Sequence, residues 1–125
     1  MTPLLFAGIA VAGGLGSVCR LLLDGIIRSR VTGSLPWGTI IINVTGSFLL
    51  GLIAGLAGHQ LIPESLHLVL GAGFLGGYTT FSTASFETVR LIQHGKWLAG
   101  ALNGLGVLVT ATAAAALGLW IASLA

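Results

Sequence analysis

The fold is decided by the stretch Gly73-Phe74-Leu75-Gly76-Gly77-Tyr78-Thr79-Thr80-Phe81-Ser82-Thr83. Here glycines and hydroxyl side chains occupy the middle of a long apolar segment. A Gly-Gly pair followed by Thr-Thr and Ser-Thr favours a break in a helix, and a break frees backbone carbonyls and amides that lipid cannot satisfy. Such backbone is tolerated at membrane depth only inside protein or beside a water-filled cavity. We therefore expect a helix broken at Gly76–Thr80, with the break facing a partner chain or a pore.

The rest of the chain has the composition of a membrane protein. Of its 125 residues, 55% are hydrophobic, 20 are glycine, and only 6% are charged, whereas soluble domains carry about 25% charged residues. A spanning helix takes about 20 apolar residues, so a chain of this length has room for four spans. We expect an all-α integral membrane protein with one domain over residues 1–125 and spans at about 3–23, 37–58, 66–92 and 97–123.

Basic residues are concentrated in two of the predicted loops. Arg28 and Arg30 lie in the first loop, which we place at Asp24–Pro36, and Arg90 and Lys96 lie in the third. The positive-inside rule puts these two loops in the cytoplasm and both termini outside. The net charge of +2 is too small and scattered to neutralise a nucleic-acid backbone, so we expect no nucleic-acid partner.

Neutral hydrogen-bond donors are the main polar groups of the spans. They are Asn43, Ser47, Thr79, Thr80, Ser82, Thr83, Ser85 and Asn103. Several such donors, each contributing about 1.5–3 kcal/mol to an ion, offset dehydration without creating a deep trap. The rim of the Phe81 ring is electropositive and suits an anion too, whereas Arg20 either joins the path or extends to the membrane interface. No nucleophile-base pair, phosphate-binding loop or zinc-ligand spacing is present, so we expect a passage for an anion rather than an enzyme.

The stretch at 73–83 resembles the signature of the CrcB/Fluc family of fluoride channels. The match extends to Gly13-Gly14-Leu15-Gly16-Ser17 leading to Arg20, and to Pro36-Trp37-Gly38-Thr39 leading to Asn43. The resemblance implies a passive, fluoride-selective channel that exports fluoride from the cytoplasm across a bacterial plasma membrane. It also implies an antiparallel dimer of four-span subunits, in which small residues of the first span pack the two subunits together.

The resemblance implies functional roles for seven residues. The pore-lining residues would be Asn43, Phe81, Ser82, Thr83 and Arg20. A central sodium ion at the dimer interface would be held by the backbone carbonyls of Gly76 and Thr79 from each subunit.

The chain departs from the family pattern in the expected pore lining. Three residues after Phe81, where the pattern has a second phenylalanine, the chain has Ala84, and Phe86 is rotated from that position by about 200° around a helix. Ala111 and Ala115 likewise stand where relatives carry hydroxyl groups. The dimer is therefore either a homodimer or a heterodimer with a homologous chain. The alternatives are a small four-span multidrug exporter, which needs a carboxylate within the membrane, and a structural subunit of a heterodimeric fluoride channel.

Overall fold

The computed structural model describes residues 2–31, 36–79 and 81–125, and all their side chains except those of Phe81, Ser82, Thr83 and Phe86. The elements in chain order are α1 (Pro3–Arg30), α2 (Trp37–Gly58), α3 (Glu64–His67), a π-helix (Leu68–Leu75), α4 (Gly76–Tyr78), α5 (Phe81–Gln93) and α6 (Trp97–Ser123). Helices α1, α2 and α6 are each long and apolar enough to cross a membrane. The described ranges contain no strand, so the all-α prediction is confirmed.

Two of the predicted spans have the same bounds as helices, and a third ends before its helix does. The spans at 37–58 and 97–123 coincide with α2 and α6. The span at 3–23 lies within α1, which continues to Arg30 through the first part of the predicted loop. Arg28 Nε lies 2.9 Å from Asp24 Oδ2 one turn earlier, and an ion pair at this spacing stabilises a helix that has left the apolar region.

The predicted third span, 66–92, is interrupted rather than continuous. Helix α3, the π-helix and α4 follow one another without a gap, and the backbone then becomes extended at Thr79, with ψ of 154°. The backbone leaves the helix at Thr79, inside the predicted break at Gly76–Thr80, while Gly76 and Gly77 themselves lie in α4. Thr80, the last residue of the predicted break, lies outside the described residues.

Helices α2 and α6 pack closely because glycines remove side chains from their contact. A Cβ atom at Gly51 would overlap the carbonyl of Ala115, and one at Gly118 would overlap the carbonyl of Phe48. Small residues at a helix crossing allow the two backbones to approach each other. The close contact with α6 thus fixes the position of α2.

Helix α1 packs against the π-helix and α4 in the same manner. A Cβ atom at Gly16 would overlap the carbonyl of Phe74, and one at Gly77 would overlap the carbonyl of Gly13. Gly13 and Gly16 thus make contacts within the chain, and the packing of two subunits by the first span stays a prediction. Gly14 lies on the exposed face of α1 and has no atom close to it.

Candidate ion pathway

A groove of about 680 Å³ lies between α2, the extended residue Thr79 and helices α5 and α6. Its polar lining residues are Asn43, Ser47, Thr79, Ser85, Thr88, Asn103 and Thr112. Its other lining residues include Ala84, Val107, Ala111 and Ala115. The fold thus brings neutral hydrogen-bond donors from four separate stretches of sequence to one place, next to the interruption of the third span.

The polar face predicted on α2 divides between this groove and a separate contact. Asn43 is buried, with 7% of its surface exposed, and both Asn43 and Ser47 line the groove. Thr39, one turn earlier, does not reach the groove, because its hydroxyl donates a hydrogen bond of 2.6 Å to Glu87 Oε1 on α5. The predicted pore-lining position of Asn43 is therefore compatible with the fold.

The wall formed by α5 and α6 is fixed by a small network of hydrogen bonds. Asn103 Nδ2 donates to Thr88 Oγ1 at 2.7 Å and to the carbonyl of Ala84 at 3.3 Å. Thr88 Oγ1 donates to the same carbonyl at 2.9 Å. Asn103 is fully buried, and its Oδ1 has no hydrogen-bond partner in the described part of the chain. A buried acceptor without a protein partner is unusual, and this one belongs to a residue of the groove wall.

Arg20 contacts the end of α4 and is not among the residues that line the groove. Its Nε donates to the carbonyl of Gly77 at 3.4 Å, and the hydroxyl of Ser17 donates to the same oxygen at 3.3 Å. The structure therefore does not bring Arg20 together with Asn43, and its pore-lining role stays a prediction. In this chain its visible contact joins α1 to the end of α4.

The backbone carbonyls next to the interruption accept hydrogen bonds from different donors. Leu75 accepts bonds from both the amide and the hydroxyl of Thr79, each at 2.9 Å, and Gly77 accepts the two side chains from α1. The chain leaves the helix after Tyr78, so the carbonyl of Thr79 lies outside α4, and the sodium-binding role of the Gly76 and Thr79 carbonyls stays a prediction. Carbonyls freed at an interrupted membrane helix are suitable ligands for sodium.

The remaining predicted pore residues are Phe81, Ser82 and Thr83. Their backbone forms the first turn of α5, and their side chains lie outside the described residues. Their predicted roles therefore stay predictions.

Glu87 is the residue whose environment the sequence analysis missed. Its side chain is only 15% exposed, and its Oε2 lies 3.7 Å from Arg28 Nη2. Arg28 also binds Asp24, so the two acids share one guanidinium. The spacing of four residues predicts the ion pair between Asp24 and Arg28 on α1. No sequence pattern predicts the contact between Arg28 and Glu87.

Comparisons with known proteins agree with the resemblance stated above. Residues 7–119 match the family described as CrcB-like protein, Camphor Resistance (CrcB). A protein of Leifsonia xyli subsp. xyli named Fluoride-specific ion channel FluC 1 is 57% identical, over all of this chain and 91% of the relative. Fluoride-specific ion channel FluC 2 of Cutibacterium acnes is 47% identical, over 92% of this chain and 94% of the relative. Since the family match covers most of the chain and these relatives align along nearly their full length, the chain belongs to the CrcB family.

Proposed function

We propose that this chain forms a passive fluoride channel that exports fluoride from the cytoplasm. The observation that carries the proposal is the groove in which Asn43, Ser47 and the α5–α6 network surround the interruption of the third span. Neutral donors contribute about 1.5–3 kcal/mol each to a bound ion, which offsets dehydration while still allowing release. The names of the relatives, which are fluoride-specific ion channels, give the identity of the ion.

An antiparallel dimer of four-span subunits is the assembly we propose. In each subunit the third span would consist of α3, the π-helix and α4 followed by α5. Two residues of the groove wall, Val89 and Thr112, are exposed in the single chain, so lipid would reach the ion path unless a second chain covered it. Exposed apolar residues on α1, such as Leu4 and Leu22, agree with a location in the plasma membrane.

A sodium ion at the centre of this dimer fits the carbonyls of Gly76 and Thr79. Gly76 is exposed, so a partner chain could bring its own carbonyls to the same point. The ligands in this proposal are backbone carbonyls. The ion would supply positive charge that holds the two interrupted helices together.

A heterodimer with a homologous chain is favoured by the alanines of the groove. Ala84, Ala111 and Ala115 all line it, and none offers a ring edge or a hydroxyl group to an anion. A partner that carries these groups would complete at least one ion path. The multidrug exporter is not favoured, because the partly buried carboxylate of Glu87 binds Thr39 and Arg28 and does not line the groove.

The test is fluoride efflux from liposomes that contain the purified chain, with chloride efflux as the selectivity control. Asn43→Ala and Phe81→Ile should each reduce fluoride efflux by about tenfold or more, which corresponds to the loss of one contact to the ion. Thr110→Ala is the matched control, because Thr110 bonds to the carbonyl of Gly106 on its own helix and does not line the groove. Unchanged efflux in a folded Asn43→Ala variant would contradict the proposed path. Efflux that requires a co-purified homologous chain, and that Asn43→Ala in this chain leaves unchanged, would support the structural-subunit alternative.

A further inference from the structure

Tyr78, the last residue of α4, joins the interrupted span to α2 through its side chain. It is buried, and its hydroxyl oxygen lies 3.0 Å from Thr45 Oγ1 in the first half of α2. Thr45 donates its own proton to the carbonyl of Ile41, at 2.8 Å. Because a hydroxyl group has one proton to donate and can also accept, Tyr78 is the donor in the contact between the two side chains. The end of α4 is therefore hydrogen-bonded to α2 directly before the interruption.

The ring of Tyr78 holds this hydroxyl group in one position. It belongs to an apolar core cluster with Ile42 and Leu75. It also stacks on Phe74, with the ring centroids 6.2 Å apart and the ring planes inclined by 15°. Close packing in a core and stacking between rings both restrict the orientation of an aromatic side chain. The hydroxyl group is thus a rigid link, and phenylalanine in its place would keep the packing and remove only the hydrogen bond.

Thr79, the next residue, is the point at which the backbone leaves the helix, and its side chain packs against α2. Its amide and its hydroxyl group both donate to the carbonyl of Leu75, at 2.9 Å. Its methyl group occupies the space of the missing side chain at Gly46, so a Cβ atom there would overlap it. Thr79 therefore lies directly on the α2 backbone, at the residue that follows Thr45.

Thr45 and the groove lie on opposite sides of α2. Thr45 is two positions from Asn43 and two from Ser47, and two residues correspond to a rotation of about 200° around a helix. Asn43, Ser47 and Thr79 line the groove, whereas Thr45 and Tyr78 do not. The bond between Thr45 and Tyr78 thus acts on the groove wall from outside the groove, without contacting an ion.

We propose that Tyr78, through its bond to Thr45, is a positioning residue that sets the width of the ion path at Thr79. This inference rests on the proposed function as a fluoride channel. Selectivity for a small anion depends on the diameter of the path and on the hydrogen-bonding groups that line it. A wider path loses contacts to fluoride and admits a larger anion such as chloride. Loss of the Tyr78 hydroxyl group should therefore lower the preference for fluoride over chloride.

The experiment compares the initial rates of fluoride and chloride efflux from liposomes that contain the purified full-length chain. The ratio of the two rates does not depend on how many channels fold, so a purely structural role would leave it unchanged. Tyr78→Phe and Thr45→Val should each lower the ratio about tenfold, which corresponds to one hydrogen bond to an ion. The double variant should have the same ratio as either single variant, because both substitutions remove the same bond.

Two variants serve as controls for the loss of a hydroxyl group. Thr45→Ser keeps the group and should keep the ratio of the wild type. Thr110→Val is the matched control, because Thr110 also donates to carbonyls of its own helix, those of Gly106 and Val107, and does not line the groove. It should change the ratio by less than about twofold.

Hydrogen exchange of the Thr79 amide gives a second readout, which requires no ion flux. This amide is hydrogen-bonded to the carbonyl of Leu75, and its exchange can be followed by mass spectrometry of the chain in detergent. Tyr78→Phe and Thr45→Val should both speed the exchange, because the end of α4 opens more easily once it is released from α2. Thr110→Val should leave the exchange unchanged.

The two readouts distinguish the ways in which the proposal could fail. An unchanged ratio in folded Tyr78→Phe and Thr45→Val variants would overturn it, and faster exchange in the same variants would then make the contact purely structural. Unchanged exchange would show that the bond does not hold Thr79, which overturns the proposal too. Absence of fluoride efflux from the wild type would contradict the proposed function, and the exchange rates would still decide whether Tyr78 positions Thr79.

Discussion

Replacing Gly77 by alanine tests whether α1 fixes the position of the interrupted helix. The new Cβ atom would overlap the carbonyl of Gly13 and lie 3.0 Å from Ser17 Oγ. Since the overlapped atom belongs to the α1 backbone, α4 has to move away. Such overpacking costs about 1–3 kcal/mol. Movement of α4 also breaks the bonds from Ser17 and Arg20 to Gly77, which are already long at 3.3 and 3.4 Å.

We expect Gly77→Ala to lower the free energy of unfolding by about 3 kcal/mol or more, once the loss of those two hydrogen bonds is included. Gly76→Ala is the matched control in the neighbouring residue. Gly76 has ordinary helical angles, φ −61° and ψ −38°, and a Cβ atom there would meet only the carbonyl of Gly71, at 3.8 Å. Alanine is also preferred over glycine in helices by up to about 1 kcal/mol, so the single chain should tolerate it.

The assay is denaturant unfolding in detergent, followed by the fluorescence of the three tryptophans, with size-exclusion chromatography to report assembly. Gly77→Ala should unfold at a lower denaturant concentration, whereas Gly76→Ala should unfold like the wild type. A change in assembly confined to Gly76→Ala would place that residue at a contact between subunits. The reasoning is refuted if Gly77→Ala is as stable as the wild type, or if Gly76→Ala is the less stable variant.

Two further predictions concern the polar contacts of α5. Thr39→Val should lower the free energy of unfolding by about 1–3 kcal/mol, because it leaves one oxygen of Glu87 without its hydrogen bond. In a double-mutant cycle measured by denaturant unfolding, the effects of Thr39→Val and Glu87→Gln should add up to more than the effect of the double variant; simple additivity would speak against the contact. Asn103→Leu should lower the free energy of unfolding by about 2 kcal/mol and also reduce fluoride efflux, measured in liposomes, since it releases the α5–α6 wall. Efflux at the wild-type rate in a folded Asn103→Leu variant would separate this network from conduction.

The apolar stretch and the helix have the same ends in two of the long helices and different ends in the third. In Trp37–Gly58 and Trp97–Ser123 the apolar stretch and the helix end together. In α1 the two differ, because the pairing of Asp24 with Arg28 extends the helix to Arg30. The loss of apolar residues therefore shows where a chain leaves the membrane core, and side-chain pairing decides whether it is still helical.

The range that contains the interruption of the third span could be predicted, but the residue at which the backbone leaves the helix could not. Glycine serves two purposes that look the same in sequence, backbone freedom and the absence of a side chain. At Gly77 the second purpose applies, because the carbonyl of Gly13 occupies the space of a Cβ atom. That contact joins residues 64 positions apart, and a local pattern contains no information about it. The π-helix at Leu68–Leu75 was not predicted for the same reason.

In the candidate site, too, local sequence predicts the helical face of a residue but does not predict its contacts with distant parts of the chain. A spacing of four placed Thr39, Asn43 and Ser47 on one face of α2, and two of them do line the groove. Thr39 differs because the first turn of α2 lies opposite Glu87, which is far away in sequence. Periodicity therefore predicted which side chains point the same way, and the packing of α5 determined what each one meets.

Ala84, which stands in place of the expected second phenylalanine, is part of the hydrogen-bonded wall between α5 and α6. Ala84 is buried, with 8% of its surface exposed, and its carbonyl accepts hydrogen bonds from both Asn103 and Thr88. This part of the wall is thus held by its backbone and its polar neighbours, and it needs no ring for its own stability. A ring is needed only for contact with the ion. Since the wall is stable without it, the ring is the kind of group that a homologous partner chain could supply, and this is why we propose a heterodimer rather than a defective homodimer.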